Sequence, residues 1–189
     1  MMNIAIFASG NGSNCENIIK YFKGHDSIVT ALVVCNNATA KVLERAESLS
    51  VPTAVITKAE LNNNPEMVMA LLDKYNIGFI VLAGFLPLVP KYLIEHFNHR
   101  MINLHPALLP KYGGKGMYGH HVHEAVKAAG EKETGMTIHW VSEVCDGGEI
   151  IQQYRTPLSP DDTVDDIASK EHELEMRYFP QCIEKIIMA

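Results

Sequence analysis

The chain has 189 residues, with 16 Lys or Arg against 22 Asp or Glu, for a formal net charge of -6. A chain of this length buries about 70% of its unfolded surface and needs no disulfide to fold. Its acidic balance, without a basic run, argues against a nucleic-acid surface or an anionic membrane as partner, so any anionic ligand has to be held locally.

Cys15, Cys35, Cys145 and Cys182 are scattered with no C-x-x-C pair. Neither a zinc site nor a disulfide framework is indicated, and a reduced cytoplasm is the expected compartment. The N-terminus enters an apolar segment without a basic stretch, and no apolar run approaches about 18 residues. A chain that is neither exported nor membrane-spanning is expected.

Strand-like and helix-like segments alternate from the start. Residues 3–8 are a short apolar run, followed by SGNGSN at 9–14 and a helical pattern over 15–22. Strand, glycine turn and helix is a phosphate-binding layout, because the amides of Gly12, Ser13 and Asn14 open at a helix N-terminus whose dipole favours an anion. The dinucleotide fingerprint wants glycine where Cys15 stands and an acidic residue where Asn36 and Asn37 stand, so NAD is not expected. The nucleoside-triphosphate loop wants a lysine that does not occur before Lys20, which disfavours ATP as well. A terminal phosphate monoester or an ordinary strand-to-helix turn remains.

Residues 29–35 read as a second strand, 40–49 as a helix with Val42, Ala46 and Leu49 on one face, and 51–56 as a third strand interrupted by Pro52. Asn62, Asn63, Asn64 and Pro65 form a turn leading to a helix over 66–75, and 79–83 is a fourth strand. The apolar loop that follows, with Phe85, Leu86, Pro87, Leu88 and Val89, either packs under the next helix, 90–97, or lines an apolar ligand slot.

Met101, Ile102, Asn103, Leu104, His105 and Pro106 then place a carboxamide and an imidazole two residues apart at the end of a strand. Alternate residues share a face, so if Ile102 and Leu104 pack inward, Asn103 and His105 project together. Pro106 ends the strand and presents His105 at the carboxyl edge, where open α/β sheets bind ligands. Read singly, the pair is also consistent with a turn cap and a hydrogen-bonded structural histidine.

The loop over 107–119 carries four glycines in its last seven residues and suggests a segment crossing the site. His120, His121 and His123 start a helix, but their spacing puts neighbours on different faces, and no metal is expected there. A helix over 122–129 and a strand over 135–141 follow, in which His139 faces either the site or a neighbouring polar group. Asp146, Gly147 and Gly148 make a polar turn, and 150–154 is a strand with no helix before it, hence antiparallel or an edge. From Thr163 a capping box with Asp166 opens a final helix with a stripe of Ile167, Leu174 and Tyr178, and with His172 and Glu175 on one face. Successive βα repeats imply a doubly wound, mostly parallel, Rossmann-like α/β sheet with an antiparallel edge, spanning 1–189 as a single domain.

Taken together, SGNGSN, LAGF at 82–85, INLHPALLPKY at 102–112, DGG at 146–148 and a late H-x-x-E occur in one order that resembles the phosphoribosylglycinamide formyltransferases, from about residue 3 to about 180. That resemblance implies formyl transfer from 10-formyltetrahydrofolate, as co-substrate and without a metal, to the amine of glycinamide ribonucleotide in purine synthesis. It implies Asn103, His105 and Asp146 as the catalytic set. Gly12, Ser13 and Asn14 would hold the ribose phosphate and Glu175 the ribose hydroxyls. Folate would lie against Leu86, Pro87, Leu88, Val89, Asn103, Val141 and the turn to Asp146. The partners implied are these two small molecules, with no nucleic acid or membrane, and a cytoplasmic monomer or homodimer.

The chemistry fits on its own terms, since an amine attacking a formyl carbon makes an oxyanion that preorganised donors stabilise. Asn103 and a protonated His105 could supply them, with Asp146 favouring the charged imidazole. The match departs at Pro87 and over 61–64, where relatives often carry arginine for the folate glutamate tail, and in the longer 113–119 loop. A 10-formyltetrahydrofolate hydrolase shares the chemistry but usually adds a regulatory domain. A methionyl-tRNA formyltransferase needs an RNA-binding domain and basic surface. A non-catalytic phosphate-binding module is the alternative from a different class.

Overall fold

A computed structural model describes residues 1–189. In chain order the elements are β1 (Met2–Ala8), α1 (Ser13–Tyr21), β2 (Ile28–Cys35), α2 (Lys41–Ser48), β3 (Thr53–Val55), α3 (Lys58–Asn63), α4 (Pro65–Lys74), β4 (Ile77–Leu82), α5 (Lys91–His96), β5 (Met101–His105), α6 (His120–Ala128), β6 (Glu133–Trp140), β7 (Ile150–Pro157) and α7 (Val164–Met188). The strands form one seven-stranded sheet in the order β3-β2-β1-β4-β5-β6-β7. The chain divides into two compact units, Met1–Ile102 and Asn103–Ala189.

In the first unit β1 is flanked by β2 and β4, both parallel to it, and β2 pairs in parallel with β3. A strand covered on both faces is apolar throughout, and Ile4, Ala5, Ile6, Phe7 and Ala8 are all buried. Helix α2 turns Val42 and Ala46 inward, as its spacing predicts, while Leu49 is half-buried. The expected turn over 62–65 is more structured. Thr57 and Glu60 form a capping box that opens α3, and Asn64 both ends α3 and caps α4, with Pro65 in its first turn. The third strand shrinks to three residues because Pro52 lies outside it, though its carbonyl accepts from Val33 N–H.

In the second unit β6 and β7 pair antiparallel from Glu133 opposite Pro157 to His139 opposite Ile150, the edge expected from the missing crossover helix. Thr163 and Asp166 do cap α7 reciprocally. The helix continues through Pro180, and Phe179, Pro180, Cys182 and Ile183 are buried beside the expected Ile167. Leu174 and Tyr178 are half-buried, and Tyr178 stacks on Tyr154 of β7 with ring centres 4.2 Å apart. A buried carboxylate ties three elements together. Glu171 of α7 accepts from the Thr134 hydroxyl of β6 and lies 2.6 Å from His123 Nδ1 of α6, while burial pushes its carboxyl up. No helix is long and apolar enough to cross a membrane.

Phe179 is fully buried in the last turns of α7. Phe179→Ala leaves a cavity that this packed unit closes only in part, and it is expected to cost about 3–5 kcal/mol in urea unfolding.

Candidate active site

Strand β5 does what its alternation predicts. Ile102 and Leu104 are buried, and Asn103 and His105 meet polar partners at the strand's carboxyl end. Between β6 and β7, Asp146 adopts a left-handed conformation, φ 53°. Only glycine fits at Gly148, where a Cβ would lie 1.7 Å from the Trp140 carbonyl. That tight turn delivers the Asp146 carboxylate to both β5 side chains. Its Oδ2 is 3.6 Å from His105 Nδ1, and its Oδ1 is 3.5 Å from Asn103 Nδ2.

Backbone carbonyls fix the hydrogen positions, because a carbonyl can only accept. His105 Nε2 donates to the Tyr112 carbonyl at 2.7 Å, which leaves Nδ1 as the nitrogen able to take a proton beside Asp146. His139 Nδ1 donates to the Trp140 carbonyl at 2.9 Å, so its Nε2 accepts from Asn103 Nδ2 at 3.0 Å. The second Asn103 amide proton has only the long contact to Asp146.

Tyr112 is held in a left-handed conformation, φ 57°, with its hydroxyl donating to Glu131 at 2.7 Å. Burial and that carboxylate push the phenol up to about 12. Thr137 anchors the start of the same loop by donating to the Ala107 carbonyl at 2.6 Å and accepting from Leu109 N–H at 3.0 Å. A cavity of about 230 Å³ behind this loop is lined by Leu108, Pro110, Tyr112, Glu131 and Arg155 and does not include Asn103, His105 or Asp146.

Electrostatics alter one expectation. Burial lowers the His105 pKa, and this outweighs the pull of Asp146 and of the Tyr112 carbonyl toward the charged form. The resting imidazole is therefore biased toward neutral, not toward the protonated state that the Asp146 pairing suggests in sequence. Burial also pushes the Asp146 carboxyl up, but the His139 contact, the His105 ring and Gly114 N–H together outweigh it and hold the group below the usual carboxylate range. His139 is the residue that sequence reading left undecided. The polar Thr137 and His139, two apart and interleaved with Met136, Ile138 and Trp140, are the available signal.

The remaining expected residues occupy the following places. Glu175 is half-buried, paired with His172 Nδ1 at 3.3 Å, and its charge is felt at His105. Val141 lies just past β6 and is half-buried. In the first unit, Gly12 is the left-handed N-cap of α1, followed by Ser13 and Asn14 in its first turn. After β4, Leu86 and Leu88 are exposed and Pro87 and Val89 half-buried, so the apolar loop is not packed away. Phe85 instead anchors it edge-on to Phe7, and Leu86 N–H donates to Ser9 Oγ at 2.9 Å.

The formyl transferase family profile matches residues 2–183. The chain is 33% identical to phosphoribosylglycinamide formyltransferase of Bacillus subtilis, over 99% of this chain and 95% of that protein. It is 34% identical to the enzyme of the same name from Haemophilus influenzae, over 97% and 86%. The crystal structure of phosphoribosylglycinamide formyltransferase from Streptococcus pneumoniae superposes with a TM-score of 0.85 at 35% identity, covering 99% of each chain. That from Bacillus halodurans superposes with 0.87 at 34% identity, covering 98% and 95%.

A histidine whose folded pKa is lowered is neutral where the unfolded chain, near 6.5, already takes a proton. Its contribution to stability is present above 6.5 and is lost as pH falls from there toward the folded value. Asp146 acts separately, its contribution present above 3.8 and lost only as pH falls through its lower folded pKa. Urea unfolding of wild type and His105→Gln across pH 7.5 to about 5 should show a steeper loss in wild type.

Proposed function

The chain belongs to the formyl transferase family, and on that premise we propose that it transfers the formyl group of 10-formyltetrahydrofolate to the amine of glycinamide ribonucleotide in purine synthesis. It is a one-carbon transferase acting on small molecules. The observation that carries the reading is the Asp146 carboxylate shared between the His105 imidazole and the Asn103 carboxamide.

The amine nitrogen attacks the formyl carbon, a C–N bond forms, and the formyl oxygen becomes an oxyanion. Neutral His105 takes the proton that the amine must lose, directly or through water. The imidazolium so formed faces Asp146, and with the Asn103 N–H that makes only the long Asp146 contact it stabilises the oxyanion. Collapse breaks the bond to N10 of tetrahydrofolate, and the proton leaves with that nitrogen. The protonated His105 expected from sequence thus belongs to the intermediate, and burial keeps the resting ring able to accept. His139 acts through Asn103 by holding its amide in the orientation that donates.

In this reading Gly12, Ser13 and Asn14 receive the ribose phosphate and Glu175 the ribose hydroxyls. Leu86, Pro87, Leu88, Val89, Asn103 and Val141 receive the folate. The exposed Leu86 and Leu88 suit a planar apolar partner. The continuous family match over residues 2–183 supports reading the chain as a single formyltransferase domain. A cytoplasmic enzyme, monomer or homodimer, needing neither nucleic acid nor membrane accords with the net charge of -6.

Loss of the formyl group from 10-formyltetrahydrofolate, followed by absorbance, should require glycinamide ribonucleotide. Equal loss without it would identify a hydrolase, and no loss on folded protein a binding module. Asp146→Asn should lower kcat by about 10²-fold or more while leaving KM for the nucleotide within about threefold. Unchanged turnover would remove Asp146 from the mechanism.

A further inference from the structure

Three consecutive residues ahead of α1 are gripped by α2. Val42 N–H donates to the Gly10 carbonyl at 3.1 Å, and Arg45 Nη2 donates to Asn11 Oδ1 at 3.0 Å. Gly12 packs so closely on Val42 that a Cβ there would lie 2.5 Å from its side chain, and its φ of 78° suits glycine as well. The turn that aims the first amides of α1 is therefore shaped by α2.

The charge at this helix start is unusual for an anion site. Glu16 stands in the first turn of α1, where a carboxylate suits the helix dipole but repels a phosphate dianion arriving at the same N-terminus. Two cations meet it: Lys20 at 2.5 Å along the helix, and Arg45 through Nη1 from α2. Lys20 first and Arg45 second hold the Glu16 carboxyl below the usual range. Arg45 is about three-quarters shielded from water, its side chain 27% exposed, so its charge is screened less than that of Lys20 at 58%. Its planar fork uses one nitrogen for Glu16 and the other for Asn11, which a lysine's single ammonium centre cannot reproduce with the same geometry.

We infer that Arg45 is a positioning residue for the phosphorylated substrate: it fixes Asn11 in the turn before the Gly12, Ser13 and Asn14 amides and offsets the Glu16 charge where the phosphate enters. Arg45 acts through the loop and through Glu16, without a role in the transfer step itself. The inference rests on the phosphate reading of that loop given above.

Steady-state kinetics on the full chain test it with Arg45→Met, Glu16→Gln, the double variant and Gly12→Ala. Arg45→Met should raise KM for glycinamide ribonucleotide about tenfold, with kcat and KM for the formyl donor within about twofold. Glu16→Gln, which removes the repelling charge and frees Arg45, should lower the nucleotide KM, and Arg45→Met with Glu16→Gln should recover most of the loss. Gly12→Ala, which distorts the loop itself, should raise the nucleotide KM whatever Arg45 does. An unchanged nucleotide KM in Arg45→Met beside a raised one in Gly12→Ala overturns the role of Arg45 and keeps the phosphate reading. Unchanged values in both overturn the phosphate reading. A parallel fall in kcat and rise in both KM values would mean a general structural defect and also overturns the inference. Should Arg45→Met fold poorly, Glu16→Gln alone decides, since a nucleotide KM that stays level or rises contradicts the inference.

Discussion

Asp146 keeps a negative charge partly out of water, and neighbouring groups share the work of holding it there. Burial alone pushes the carboxyl pKa up. Gly114 N–H donates to it and Asn103 adds a longer contact, and the His139 and His105 rings, when charged, help hold its pKa below the usual carboxylate range. Each of those groups is positioned in turn by the carboxylate. The site is therefore a set of opposed constraints, in which burial keeps the resting imidazole neutral against the pull of Asp146, while neighbouring groups keep the carboxylate ionised against burial.

The sheet makes those constraints possible. Successive side chains alternate across a strand, so two polar residues spaced by one apolar residue emerge on the same side, at 103 and 105 in β5 and at 137 and 139 in β6. The β6–β7 turn then has to bring a carboxylate back over that edge, which requires the close approach of Gly148 to the Trp140 carbonyl. Thr137 and Glu131 complete the frame by fixing the start and the middle of the loop that carries Tyr112, whose carbonyl sets the His105 tautomer. The hydrogen positions on both imidazoles follow from where backbone carbonyls accept.

Element identity was readable because it follows from local patterns. The apolar run at β1, the capping box at Thr163 and the missing crossover before β7 each carry their own physical signal. The pairing of Asn103 with His105 was legible for the same reason, and Asp146 joined them only through the conjunction of motifs. What sequence could not supply was partnership at a distance. His139 could be placed on a face but not beside Asn103, and α3 was hidden by an asparagine run although Thr57 and Glu60 signalled its start. The charge state of His105 came out differently because burial is a property of the folded surroundings. The carboxylate partner is visible in the chain, whereas the desolvation opposing it appears only once the strands are packed.

The most direct test of this account is the titration of His105 itself, followed by its imidazole C2 proton in NMR and assigned by comparison with His105→Gln. In the wild-type protein without substrates the midpoint should lie below the ordinary 6.5, because burial disfavours the charged ring. In Asp146→Asn it should fall further, since the carboxylate pulling it upward is gone. A wild-type midpoint above 6.5, or one that Asp146→Asn leaves unmoved, would contradict the account.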